Sequence, residues 1–223
     1  MVGRNGCRLP RSSPTTASAP PDLQALYDAQ VGAIRTRLRE FAAVPPTAYL
    51  YEVIYCLLTP QSSARNAQRA VDALQRQGFA EQPFDPESAL SDRAHYIRFH
   101  RTKARRLLEL HRRMPEVLTA LTREMSPFDL REWLVKHVNG LGYKEATHVL
   151  RNIGRSGDLA ILDRHILRNM KRYGAIRVLP KTITRRQYLR LERSFQRFAR
   201  RIGIPPDELD LLLWSMETGE ILK

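Results

Sequence analysis

From residue 22 onward, apolar positions recur at spacings of three and four with hardly a break, the period of amphipathic helices. Leu23, Leu26, Tyr27, Ile34 and Leu38 share one face and predict a first helix over 22–45, with Asp22 as N-cap and Pro45-Pro46 as its stop. Tyr49 to Leu58 reads as a buried helix ended by Thr59-Pro60. Ser62 or Ser63 caps the next, whose Ala67, Val71 and Leu74 lead to Gly78 as a C-terminal stop. A shorter helix is expected near Pro86, and a longer one over 102–121 through Leu107, Leu110, Val117 and Leu118. Leu130, Trp133, Leu134 and Val138 make 129–139 amphipathic. Gly140-Leu141-Gly142 then separates it from a helix over about 143–153. After a loop at 154–158 comes the apolar run Leu159-Ala160-Ile161-Leu162, and Asp163 opens another helix. A very basic helix over 184–201 and a last one from Pro205-Pro206 through Trp214 complete the pattern. No segment alternates as a half-buried strand does, so the expected fold class is all-α, with near ten helices.

Composition narrows the function classes. Hydrophobic residues form 43% of the 223, enough to bury a core, yet no apolar run approaches the ~20 residues of a membrane span. The two cysteines, Cys7 and Cys56, exclude a disulfide scaffold, a four-cysteine zinc site and a cysteine-ligated iron–sulfur cluster. The net charge of +14 and a pI near 10.4 favour a polyanionic partner, nucleic acid before an anionic membrane. Arginine dominates the excess, which suits bidentate phosphate contacts. The basic residues gather between Arg93 and Arg113, where Glu109 is the single acid, and between Arg164 and Arg201, where Glu192 is. Two such acid-poor stretches suit a groove that tracks phosphates.

The informative stretch is Leu134 to Leu150: a helix, a Gly-x-Gly hairpin, and a second helix. Gly140 and Gly142 allow a tight turn, and the free N–H groups at the start of the following helix favour a phosphate. Such a hairpin binds DNA without reading its sequence. Lys144 follows it immediately, and Asp163 lies downstream in Ala-Ile-Leu-Asp-Arg-His-Ile. Singly, each has a plainer role: a lysine on a phosphate, an aspartate capping a helix.

Together these segments resemble the helix-hairpin-helix DNA glycosylase superfamily, and within it the type-2, archaeal-type 8-oxoguanine DNA glycosylase/AP lyases. The resemblance extends to Tyr51-Glu-Val-Ile-Tyr-Cys-Leu-Leu-Thr-Pro-Gln-Ser, to Ile97-Arg-Phe-His-Arg-Thr-Lys-Ala and to the end, Leu213 to Lys223. It implies that Lys144 is the nucleophile that forms a Schiff base with the deoxyribose and that Asp163 is its partner. A lysine of ordinary pKa, ~10.4, is neutral in only about one molecule in two thousand at pH 7, so this chemistry needs surroundings that favour the neutral amine. It further implies that Trp214 and Phe99 sandwich the flipped base, that the terminal Lys223 helps recognise it and that Gln61 enters the duplex where the base leaves. Asp210, four residues before Trp214, is a candidate acceptor for the base edge. Arg164 and Arg168, with Gly140 and Gly142, are the expected DNA contacts. His148 and His165 are expected to pack or to orient neighbours, and no catalytic metal is expected. The superfamily adds a monovalent cation held by the carbonyls of Lys136, Val138 and Leu141.

Four regions are expected: a disordered basic arm over 1–21, an N-terminal helix over 22–50 packing with the C-terminal part, a central subdomain over 51–160 containing the hairpin motif at about 130–153, and a C-terminal subdomain over 161–223. A basic cleft would run between the two. The expected partner is duplex DNA containing damaged guanine, with no membrane, and the expected state is a monomer. The expected location is cytoplasmic, on the nucleoid. The Arg- and Ser-bearing, acid-free start also resembles an organelle transit peptide, although Pro10 and Pro14 interrupt any amphipathic helix. Two rival readings stay open: a glycosylase of the same superfamily for another damaged base, and a non-catalytic helix-hairpin-helix module that binds DNA.

Overall fold

The structure, a computed structural model, describes residues 19–221, apart from the side chain of Thr218. Among these residues there are eleven α-helices and no strand. They are α1 Pro21–Ala42, α2 Tyr49–Leu58, α3 Ala64–Arg76, α4 Glu87–Ser91, α5 His100–Arg112, α6 Met114–Thr122, α7 Pro127–His137, α8 Tyr143–Asn152, α9 Arg164–Arg172, α10 Arg185–Ile202 and α11 Pro206–Thr218. Single 3-10 turns lie at Pro46–Ala48 and Arg93–His95. No single helix among the described residues is long and apolar enough to cross a membrane.

Several boundaries differ from the sequence pattern for local reasons. The helix expected over 102–121 breaks at Arg113, because Pro115 in the first turn of α6 cannot donate to the preceding turn. Pro20, not Asp22, stands at the N-cap of α1. The Asp22 carboxylate instead accepts the Tyr173 hydroxyl at 2.9 Å and faces Arg172. Ser63 caps α3, accepting the Asn66 N–H, while Ser62 accepts the Arg98 N–H. Of the arm expected over 1–21, residues 1–18 lie outside the described residues, as does Cys7. Ala19 is buried and Pro21 is already helical.

Two apolar cores form. One gathers α2 to α8 around a fully buried α2, whose Val53, Ile54, Cys56 and Leu57 pack against α3, α5, α6 and α8. The other joins α1, α9, α10 and α11 around Leu23, Ile34, Ile166, Phe195 and Leu212. Tyr49 and Leu50 belong to the first core, so the N-terminal helix leaves the C-terminal layer at Ala42. The chain passes between the cores at Leu159 and Ala160, which sit one in each.

Two buried ion pairs bridge the cores. Arg131 on α7 donates to both oxygens of Glu192 on α10, at 2.6 and 2.9 Å. The rings of Phe128, Tyr143 and Tyr188 surround its guanidinium. Arg151 on α8 meets Asp210 on α11 at 3.3 Å. A buried charge stripped of its partner is expensive, about 3–5 kcal/mol. Glu192→Ala is therefore expected to lower unfolding stability by about that amount, read as a fall in the urea midpoint. The apolar pair Arg131→Met with Glu192→Leu should recover only part of the loss, because the buried Ala160 N–H also loses Glu192 as its acceptor.

Candidate active site

A cavity of about 900 Å3 opens where the two cores meet. Lys144, His148 and Arg151 reach it from α8 and Trp214 from α11. Asp163 and Arg164 come from the start of α9, and Gln61 from the turn between α2 and α3. Lys144 and Asp163, 19 positions apart in sequence, thus line the same cavity.

Lys144 occupies the first turn of α8, straight after the hairpin. It is three-quarters buried, and its Nζ lies 3.7 Å from the Glu145 carboxylate. The other Glu145 oxygen accepts the Gly142 N–H at 3.2 Å, which ties the lysine's neighbour to the hairpin. Gly140 has φ +97°, and a Cβ there would stand 2.7 Å from the Arg106 side chain. This position needs glycine for its backbone, as the turn predicts. Gly142 does not: its backbone is extended, and it serves as N-cap of α8.

Asp163 is held by local chemistry. As N-cap of α9 it accepts the Ile166 N–H at 2.8 Å through Oδ1, while Oδ2 accepts the Trp214 indole N–H at 3.2 Å. The buried segment leading to it belongs to no helix and pairs with no strand, so its N–H groups need other acceptors. Side chains of α10 and α11 supply them. Ala160 donates to Glu192 at 3.0 Å, Ile161 to Asp210 at 3.2 Å and Leu162 to the Tyr188 hydroxyl at 3.3 Å. The Tyr188 hydroxyl in turn donates to the Ala160 carbonyl. Burial raises the pKa of that hydroxyl and keeps it a donor. Three side chains thus fix the approach of Asp163 to the cavity.

Asp210 lines the cavity but is already engaged, by Arg151 and by Ile161 N–H. Burial pushes its carboxyl up to about 6; Arg151 opposes that rise and Asp163 adds to it. Its main structural work is therefore to hold Asp163's segment and Arg151. Trp214 lines the cavity with its indole nitrogen anchored on Asp163.

The remaining sequence candidates fall at different distances from this centre. Gln61 is exposed at the cavity wall with a left-handed backbone, φ 57°. Phe99 does not line the cavity. It is half exposed beside the rim, with the Arg98 guanidinium 4.9 Å over its ring, so it and Trp214 do not sandwich a space in this conformation. Its backbone at the start of α5 is left-handed. Arg164 lies on the wall, whereas Arg168 stands outside it, 3.9 Å from Glu217. His148 and His165 are both on the wall. Lys223 lies outside the described residues. Tyr55, Arg151 and the 180–183 loop are wall residues that sequence reasoning passed over. Arg151 had a signal: Lys144, His148 and Arg151 are spaced by four and three, one face of α8.

Among the hairpin carbonyls, Val138 accepts Leu141 N–H, and the cationic Arg113 donates to the His137 carbonyl in the same recess. No group of three or more metal-ligating side chains occurs among the described residues.

An all-α fold with a helix-hairpin-helix beside a cavity that holds an amine, a carboxylate and an indole defines a class of DNA-acting protein. Residues 34–204 match the family model described as 8-oxoguanine DNA glycosylase, and the chain belongs to that family. It is 35% identical to the 8-oxoguanine DNA glycosylase/AP lyase of Fusobacterium nucleatum, over 91% of this chain and 96% of the relative. The counterpart from Korarchaeum cryptofilum is 38% identical over 85% of this chain and 90% of its own length. Among solved structures, the Methanocaldococcus jannaschii 8-oxoguanine glycosylase/lyase in complex with a 15mer DNA containing 8-oxoguanine superimposes with a TM-score of 0.80. It is 30% identical and covers 90% of this chain and 97% of its own.

Proposed function

We propose that this chain excises 8-oxoguanine from duplex DNA through a Lys144 Schiff base and then cleaves the strand by β-elimination. The observation that carries the reading is the convergence of Lys144, Asp163 and Trp214 on one cavity at the mouth of the hairpin. The activity named for the relatives supports the choice of base.

A base in the stack is out of reach of a side-chain amine, so the nucleotide must swing out into the cavity. Trp214 offers a flat face for it, and Gln61 would fill the gap it leaves in the duplex. Neutral Lys144 Nζ attacks C1′, the C1′–N9 bond breaks, and the base departs with a proton gained from its surroundings. Asp163, fixed beside the sugar, stabilises the cationic character that develops at C1′ and relays the proton lost by the attacking amine. Ring opening yields an iminium, which acidifies the C2′ proton. Loss of that proton expels the 3′ phosphate. The free N–H groups at the start of α8, with Arg164, suit the phosphates on either side.

The test is borohydride reduction during reaction with a duplex containing a single 8-oxoguanine. The expected result is a covalent protein–DNA adduct at the mass of a 1:1 complex. An adduct with an abasic-site duplex alone would keep the lyase and reassign the base. No adduct with either duplex would favour a binding module.

A further inference from the structure

Lys103 is an anomaly in a protein whose other cations mostly face solvent. It lies on α5, is 2% exposed, and has no carboxylate partner. Its ammonium donates to three neutral oxygens at the end of α2 and in the turn that follows: the Leu58 carbonyl at 2.7 Å, the Pro60 carbonyl at 2.8 Å and the Ser62 hydroxyl at 3.3 Å. Buried charge without a counter-charge is costly, and burial together with Arg106 lowers this amine to about 8. A fold tolerates such a group when it does something an apolar side chain cannot.

What it does is visible in the backbone. Among the described residues only two non-glycine residues have positive φ, Gln61 at 57° and Phe99 at 61°. That conformation is uncommon for any side chain and an outlier for a bulky one, and it persists only where surroundings enforce it. Both residues are tied to Lys103. Gln61 sits between two of the oxygens the ammonium holds, those of Pro60 and Ser62. Phe99 precedes α5, and its carbonyl accepts the Lys103 backbone N–H at 3.0 Å. The Ser62 hydroxyl joins the two sides by accepting the Arg98 N–H at 3.0 Å. The bond from Lys103 N–H to Phe99 is the ordinary one of a helix start, so the ammonium acts from α5: its side chain ties the turn carrying Gln61 to the helix that Phe99 begins, beside the cavity rim. Sequence position alone does not suggest this, since Gln61 and Phe99 are 38 residues apart.

We infer that Lys103 is a positioning residue for base extrusion: by clamping the Leu58–Ser62 turn to the start of α5 it holds Gln61 and Phe99 against the duplex at the spot the damaged base leaves. This rests on the proposed glycosylase reading. It separates two steps of one enzyme, because a ready-made abasic site has no base to evict and depends far less on the clamp.

The experiment compares wild type and Lys103→Met under single-turnover conditions on an 8-oxoguanine duplex and on an abasic-site duplex. Thermal unfolding monitors the fold, and 2-aminopurine beside the lesion reports unstacking. A misplacement of about 1 Å at a reacting site costs on the order of 100-fold. The expected result is an excision rate reduced by roughly that factor, with a delayed 2-aminopurine rise and abasic-site cleavage within a few-fold of wild type. Lys103→Arg, which keeps the charge and donors, should recover part of the excision rate. If Lys103→Met does not fold, Ser62→Ala decides, since it removes only the oxygen that joins the two turns. It should slow excision and the 2-aminopurine rise and spare abasic-site cleavage. Excision at the wild-type rate, or equal loss of both activities in a folded variant, overturns the inference. Wild type that is inert on the lesion overturns the reading beneath it.

Discussion

Lys144→Gln is expected to remove turnover and borohydride trapping together while binding to lesion DNA survives. Glutamine keeps most of the side chain's bulk and polarity at the start of α8 but has no amine to add to C1′. Loss of a covalent nucleophile removes the whole pathway that depends on it, so excision by this route should fall by more than about 10^3-fold. Binding should change little. The hairpin turn is set by Gly140 and by the contact between Gly142 and Glu145, neither of which involves the lysine side chain. Losing one cation removes at most one phosphate contact, a change of about 0.9 in the log–log salt slope. The measurement pairs single-turnover excision with a binding titration at two salt concentrations. A variant that binds and still excises would assign the chemistry to another group, and one that loses binding in proportion to excision would make Lys144 a phosphate contact.

The helices and the hairpin were legible in the sequence because local rules decide them. The apolar period places α2, α7 and α8, and Ser63 and Gly78 bracket α3 as cap and stop. Lys144 and Asp163 were legible as a pair through resemblance, and the fold brings both to one cavity. What stayed hidden depends on contacts distant in sequence. Nothing near Leu159 to Leu162 says that its N–H groups will be met by Glu192, Asp210 and Tyr188, so the support that Asp210 gives Asp163's segment could not be read beside its candidate role at the base edge. Glu192 read as the lone acid in a basic helix, whereas it is the buried partner of Arg131. Lys103 read as one more cation in a basic cluster, because its burial comes from α2 and the turn after it. The left-handed backbone at Gln61 and Phe99 is equally non-local in origin and carries no glycine to announce it.

Asp163→Asn is expected to separate the two roles that one side chain plays. Asp163 caps α9 through Oδ1 and receives the Trp214 indole N–H through Oδ2. Asparagine is as good an N-cap as aspartate, so the helix start should survive and the unfolding midpoint should move little. What disappears is the negative charge beside the sugar and the ability to take up a proton. Groups that stabilise developing charge or move protons contribute about 10^2–10^4-fold, and excision should fall within that range. Asp163→Ala makes the control. It should lose the same activity and also about 1 kcal/mol of stability, because the cap goes with the charge. Trp214 adds an internal reporter, since its indole nitrogen bonds the carboxylate and its fluorescence should respond in both variants. If Asp163→Asn excises at the wild-type rate, the aspartate is a helix cap that happens to face the cavity, and the positive charge at C1′ must be met by another group. The cavity offers Asp210 and Glu145 as the alternatives. Asp210 is held by Arg151 and Ile161 N–H, and Glu145 is tied to Gly142 N–H. Asp163 alone combines a place on the wall, a side chain held at both oxygens and a direct bond to the indole N–H of the ring that would hold the base, which is why the larger loss is expected there.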